Sequence, residues 1–333
     1  TQTFNATPEK VKFLQEAGFS RVILERNLTL EEIKKIRIET GVELEVFVHG
    51  AICVCHSGRC YMSRTMSPRS GNRGECSQPC RLTYDLLDAD MKMLAEGKLF
   101  LSVRDLDLSG RIGELLDVGV TSFKIEGRLK DANYVKNSVA HYRRRIDEEL
   151  SGRPGFKKSA AGTSVYDFEP DLSKTFTRGG SEYFLEGKKH GVASFDTPKA
   201  IGEPIGKVTA SGKTWIETDI PTNLSNGDGL CFMTGGELLG ANVNKKEGKK
   251  VFFNKELSIT PGTSIYRNYD RAFTSKLEGS RTRRLIDTNV IVETGSEKLS
   301  LTFTDEEGIA VTAAREIKPE PASDQRKAEE NLA

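Results

Sequence analysis

Five of the six cysteines fall within one stretch: Cys53, Cys55, Cys60, Cys76 and Cys80. A thiolate is a soft ligand, so such a gathering points to a metal or an iron–sulfur site. With Cys55 set aside, the spacing is C-x6-C-x15-C-x3-C. That is neither the paired C-x2-C of a zinc ribbon nor the C-x2-C-x2-C run of a bacterial ferredoxin. Spacing therefore argues for metal and leaves structural zinc and iron–sulfur equally open. Disulfides are disfavoured, because no apolar signal segment opens the chain and the composition is that of a cytosolic protein. Cys55 and His56 form a conceivable nucleophile–base pair, yet adjacent side chains rarely align that way. Cys231 sits alone in an apolar run and reads as a core thiol.

The cysteine stretch, 45–81, needs a scaffold. Residues 1–150 alternate short apolar runs with helical patterns. Strands are expected at Thr1–Phe4, Arg21–Glu25, Leu44–Val48 and Ser122–Glu126, with shorter runs at Leu82–Leu87 and Phe100–Val103. Helices are expected after Thr7-Pro8, after Thr29 with Glu32 completing a capping box, near Ile112–Val118, and from about Ala132 to Glu149. Such alternation means a parallel sheet covered by helices. Only about four strand–helix units are present, against the eight of a closed barrel. The expectation is the second half of a TIM-like β/α barrel in a chain truncated at both ends. In such barrels catalytic residues stand at the C-terminal ends of strands. Glu25, Arg26, His49, Arg104, Asp105, Glu126 and Arg128 fall there, on the face the cysteine loop leaves from. Rim ion pairs account for Glu25, Arg26, Glu126 and Arg128 equally well.

Residues 151–175 read as a linker rich in Gly, Pro and small residues. Residues 176–290 show short β runs (Ile201–Val208, Trp215–Thr218, Gly229–Met233) and the turn Asn226-Gly227-Asp228-Gly229, as in a small β-barrel domain. Residues 291–333 begin a further β segment and end in a charged tail. The class is thus α/β plus β. With 37% apolar and 29% charged residues the chain reads as soluble and globular, and it holds no apolar run of the ~18 residues a membrane span needs. A net charge of +1 gives no support to nucleic-acid binding, so RNA contact must rest on local patches: Lys188-Lys189-His190, Lys245-Lys246 with Lys249-Lys250, and Arg281 with Arg283-Arg284.

Glu45-x-Phe47-x-x-Gly50-Ala51-Ile52-Cys53 and Gly58-x-Cys60-x-Met62-Ser63 resemble the signature of the peptidase U32 family, the collagenase-like peptidases. Asn72-Arg73-Gly74-x-Cys76-x-Gln78-Pro79-Cys80-Arg81 and Ser122-Phe123-Lys124-Ile125-Glu126-Gly127-Arg128 continue that pattern. The likeness covers about residues 1–290 and is greatest to the long members that hydroxylate a cytidine of large-subunit ribosomal RNA. Relatives hydroxylate a tRNA wobble uridine or act in oxygen-independent ubiquinone synthesis. The resemblance implies a 4Fe–4S cluster on Cys53, Cys60, Cys76 and Cys80, with Cys55 spare. It also implies prephenate as hydroxyl donor and an oxygen-independent C5-hydroxylation of a pyrimidine in the cytoplasm. Prephenate carries two carboxylates, which arginine forks bind well; Arg26, Arg73, Arg104 and Arg128 are the candidates, Arg73 and Arg128 foremost. Two rival classes remain. A peptidase has no H-E-x-x-H helix and no G-x-S-x-G elbow here, only His49 and His56 beside the cysteines. An RNA-docking fragment would bind structural zinc instead.

Overall fold

Local signals set the first elements of the computed structural model, which describes residues 2–195, 197–219, 223–235, 237–318, 323 and 326–327. Thr7 caps α1 (Pro8–Glu16) by accepting the Lys10 N–H, with Pro8 in the first turn, where its missing N–H costs nothing. After β1 (Arg21–Ile23), α2 (Leu30–Glu39) opens on the expected capping box: Glu32 N–H donates to Thr29 Oγ1 at 3.2 Å, and Thr29 N–H to Glu32 Oε2 at 2.8 Å. In β2 (Glu43–Gly50), Leu44, Val46 and Val48 are buried in one core with Val11, Ile33 and Ile36. Truncating Leu44, Ile33 or Ile36 to alanine costs about 2–5 kcal/mol.

Gly50 ends β2 and starts the cysteine loop. Its φ is +105°, and a Cβ there would lie 2.4 Å from the Glu126 carbonyl oxygen. Both facts demand glycine. The loop holds α3 (Met62–Met66) and leads to a hairpin of β3 (Tyr84–Leu87) and β4 (Met93–Lys98). Then come β5 (Asp105–Asp107), α4 (Ile112–Asp117), β6 (Val120–Ile125) and α5 (Ala132–Ser151), which Asp131 caps through the Tyr134 N–H. β7 (Thr163–Val165) and β8 (Gly180–Ser181) follow.

β2 pairs in parallel with β1 and β6, as strand–helix alternation predicts. β5 runs antiparallel to β2, with His49 opposite Asp107, and β8 joins β5 in parallel. The result is an open five-stranded mixed sheet rather than a closed β/α barrel among the described residues. Two expected strands do not form. Gln2 and Thr3 make a turn and Phe4 has φ +53°, which breaks an extended run; Thr1 lies outside the described residues. Leu99 to Ser102 closes a turn (Ser102 N–H to Leu99 O, 3.0 Å), leaving Val103 a single bridge to Ala193.

β9 (Glu203–Ser211), β10 (Trp215–Thr218), β11 (Gly229–Thr234), β12 (Glu237–Glu247), β13 (Lys250–Phe253) and β14 (Ser264–Tyr269) close a six-stranded barrel in the order β10-β13-β12-β11-β14-β9. Val208, Ile216, Leu230, Phe232, Val251 and Ile265 fill it. α6 (Arg271–Gly279), capped by Asp270, packs on α5, where Lys136 Nζ donates to the Leu277 carbonyl at 2.7 Å.

These elements, apart from β7, belong to one compact unit, Thr1–Arg153 with Phe168–Ser280. The other is Pro154–Asp167 with Arg281–Ala333. There β7, from the stretch read as linker, pairs with β15 (Arg283–Leu285), and β16 (Thr288–Thr294), β17 (Lys298–Asp305) and β18 (Ala310–Glu316) form an antiparallel meander. Of the expected tail, 319–322, 324–325 and 328–333 lie outside the described residues. No described helix is long and apolar enough to cross a membrane.

Candidate functional site: a thiol loop, a half-buried arginine and an aromatic cavity

The loop thiols are all free. Burial raises the Cys80 pKa, Arg81 lowers it, and Cys53, Cys76 and Cys60 raise it again. The three other expected ligands therefore lie within electrostatic reach of Cys80. Burial raises the Cys55 pKa, and neighbouring Cys60 and Cys53 raise it further. Cys76 is exposed; its Sγ accepts the Gln78 N–H at 3.3 Å and the Ser63 hydroxyl at 3.8 Å. Among the described residues no three His, Cys, Asp or Glu side chains are grouped tightly enough to hold a metal ion as they stand. In donor type and number the loop still fits a four-thiolate centre, since Cys80 feels the three other expected ligands.

Glu25 and Arg26 brace this loop. The Glu25 side chain is 2% exposed and its Oε2 accepts the Ser57 N–H at 3.2 Å. Arg26 donates to Ser57 Oγ at 3.1 Å and to the Cys55 carbonyl at 3.4 Å, and stacks over Phe47. The same nitrogen lies 3.7 Å from Glu25 Oε1, while Arg26 Nε is buried without a hydrogen-bond partner among the described residues. Arg73, Arg104 and Arg128 are exposed, and no side-chain hydrogen bond or ion pair engages them among the described residues. Glu126 is half-buried, and its carbonyl accepts the Tyr134 hydroxyl at 3.1 Å.

Arg81 was part of the motif but was not singled out as a site residue. Its guanidinium donates to Ser102 Oγ (2.7 Å), the Val103 carbonyl (2.6 Å) and the Ile52 carbonyl (3.2 Å). Arg81 follows Cys80 and Ile52 precedes Cys53, so one side chain ties both ends of the loop to one segment. Burial and neighbouring Arg178 lower its pKa, while Cys80, Asp105 and Cys53 act the other way. Asp105 in turn holds Arg178: Nη1 to Oδ1 is 2.8 Å, and the Arg178 N–H donates to Oδ2 at 3.0 Å. Lys130, whose pKa falls by burial and by Arg178, sits 2.9 Å over the Phe176 ring. Nothing local in the sequence marks Arg178, Lys130 or Phe176.

His49, Asp105, Asp107, Tyr134, Phe176 and Gly202 are among the lining of a cavity of about 180 Å³. His49 is 8% exposed, stacks on Tyr134 (5.8 Å) and tilts against Tyr142 (5.4 Å). Its Nδ1 is buried without a hydrogen-bond partner. Burial lowers its pKa, with Asp107 and Asp105 opposing and His141 assisting, so the ring is neutral at pH 7. Among the described residues no histidine ring bonds a cysteine thiol; His56 meets Asn27 and Phe4 instead. The basic patches are partly neutralised: Lys189 pairs with Glu182 and Glu186, Lys245 with Glu247 and Lys250 with Glu217.

A family model, peptidase family U32, matches residues 1–194, more than half of the chain. The chain belongs to peptidase family U32. Among curated proteins it is 37% identical to the 23S rRNA 5-hydroxycytidine C2501 synthase of Escherichia coli (strain K12), over all of this chain and 52% of that protein. It is 38% identical to the tRNA hydroxylation protein P1 of Bacillus subtilis (strain 168), over 56% of this chain and 44% of that one. It is 32% identical to a collagenase of Porphyromonas gingivalis, over 45% and 40% respectively. The chain spans about half the length of the curated relatives it matches. No solved structure matches it. The matched residues carry the open α/β sheet, and the closed six-stranded β-barrel follows the matched region.

Proposed function

We propose that this chain is part of a cytoplasmic RNA hydroxylase that adds oxygen to C5 of a pyrimidine, a cytidine of large-subunit ribosomal RNA. The observation that carries the reading is the 37% identity along the whole chain to a protein named as a 23S rRNA 5-hydroxycytidine synthase. The absence of a described thiol–imidazole pair counts against peptide cleavage. A tRNA uridine substrate is the nearest alternative, supported by the tRNA hydroxylation relative.

In this reading Cys53, Cys60, Cys76 and Cys80 hold a 4Fe–4S cluster, supported by their electrostatic proximity around Cys80. Bound there, the cluster would supply electron-transfer chemistry for the hydroxylation. Glu25, Arg26 and Arg81 fix the loop that carries the thiols. Asp105 and His49 stand at the cavity, while Glu126 contributes its backbone to the Tyr134 hydroxyl. The exposed forks of Arg73, Arg104 and Arg128 are the available donors for the carboxylates of prephenate. The reaction on this reading does not draw on molecular oxygen. The same reading takes the open sheet as part of a β/α barrel, which its three parallel strands support.

The test is iron and acid-labile sulfide content of protein purified without oxygen, beside mapping of hydroxylated pyrimidines in RNA from a deletion strain. About four irons and four sulfides per chain are expected. Cys80→Ser should lose them and Cys55→Ser retain them. Zinc without sulfide, or unchanged RNA in the deletion strain, sinks the reading.

A further inference from the structure

The cavity beside His49 has the size, polarity and neighbours of a site for one small ring. An apolar cavity of about 150 Å³ binds benzene, whereas pockets for drug-sized ligands run to about 300–1,000 Å³. At about 180 Å³ this one suits a single six-membered ring without its sugar. Tyr134 and Phe176 give it aromatic walls. His49 gives it a hydrogen-bonding group: the residue is 8% exposed, and its buried Nδ1 has no hydrogen-bond partner among the described residues. Leaving a polar group buried and unpaired costs free energy that a ligand returns by pairing with it.

Charge narrows the ligand class. No lysine or arginine is among the described lining residues, and two of them, Asp105 and Asp107, are acids. Both acids are engaged, Asp105 by Arg178 and Asp107 by the Ser109 N–H and the Tyr142 hydroxyl. Such a lining offers no direct clamp for a carboxylate or a phosphate, since Arg178 is engaged by Asp105 and Lys130 sits over the Phe176 ring. A neutral, planar heterocycle with donors and acceptors on its edge meets every condition. Asp105 also acts on Arg81, which feels Cys80 and Cys53, so the cavity and the thiol loop share a neighbour.

We propose that this cavity receives the flipped-out pyrimidine base, with His49 reading its edge and Tyr134 and Phe176 walling its ring. The assignment rests on the hydroxylase reading. It adds the place of the base and its specificity contact, which neither the thiol loop nor the exposed arginines supply. A base must leave its stack before a ring atom can react, and aromatic walls repay part of that cost.

The experiment is ligand-observed saturation transfer from this chain to cytidine, uridine and benzoate, together with the imidazole proton signals of its four histidines. The expected result is transfer to the pyrimidine protons of at least one nucleoside, with the His49 signals moving saturably at millimolar ligand. His49→Phe keeps the ring volume and removes the ring nitrogens, so it should stay folded by circular dichroism. Its nucleoside affinity should fall about tenfold, the loss of one hydrogen bond. Benzoate binding better than either nucleoside, no transfer to either, or His49→Phe binding as the parent does would each overturn the proposal. The RNA of the deletion strain is read separately. If it is unchanged while nucleosides bind at His49, the hydroxylase reading fails and the site stands.

Discussion

Replacing Arg81 with methionine should loosen the cysteine loop at both ends at once. Methionine keeps an unbranched apolar stem and removes the fork. The perturbation leaves three acceptors without their donor: Ser102 Oγ, in a residue 0% exposed, and the carbonyls of Val103 and Ile52, in residues 5% and 3% exposed. A hydrogen bond from a charged donor is worth about 1.5–3 kcal/mol. Two of the three share one nitrogen, so the losses do not add fully, and about 3–5 kcal/mol of local stability should go. In a chain with more than one compact unit a global melting curve averages that loss away. The assay should therefore be local: amide exchange over Gly50–Cys55, and limited trypsin cutting after Arg59, Arg64, Arg69 and Arg73. A change of 3–5 kcal/mol speeds exchange through local opening by about two to four orders of magnitude. Arg81→Lys keeps the charge but cannot span the three acceptors, so it should fall between. Unchanged protection at Gly50–Cys55 together with unchanged tryptic cutting would refute the view that this side chain staples the loop.

Two further outcomes follow from burial. Cys231 is 0% exposed, its thiol donates to the Ile201 carbonyl at 3.2 Å, and burial pushes its pKa up to about 11. At pH 8 it should resist iodoacetamide in the native protein while exposed Cys76 labels, as read by peptide mass spectrometry, and should react only after unfolding. His49 has a folded pKa below its unfolded value near 6.5. The unfolded chain therefore takes up a proton first as pH falls, and stability is lost below about 6.5 and flat above it on this account. Urea midpoints of the parent and His49→Phe should run parallel from pH 7 to 8 and converge or cross as the pH falls to 5, the parent losing more; parallel curves throughout would show that His49 does not bury its neutral form.

What was legible in the sequence was what is local. The Thr29–Glu32 box and the Thr7–Pro8 start involve partners three residues apart or fewer, and both helices begin where those residues put them. The six barrel strands were only partly drawn, three of them as apolar runs between turns, because their pairing is set by register rather than by composition. The rim residues were named together because strand ends converge, yet convergence does not say which way a side chain turns. Glu25 and Arg26 face the loop backbone, Asp105 faces Arg178 across 73 positions of sequence, and Arg104 and Arg128 are exposed. Hydrogen bonds over such separations leave no periodic trace, and so Arg81, Arg178 and Phe176 went unmarked.

The same contrast bears on how the site works. The motif names the thiols, but the groups that determine their surroundings come from elsewhere in the fold: Ser102–Val103 after the hairpin, and Arg178 from the stretch before the barrel. A substitution at Arg178 would reach the thiol loop through Asp105 and Arg81 without touching a cysteine. It would reach the cavity by the same route, since Asp105 lines it. Arg81, Asp105 and Arg178 lie within electrostatic reach of one another, and a double-mutant cycle between Arg81 and Arg178 would measure their coupling. Additive effects within about 0.5 kcal/mol would mean the two arginines act independently.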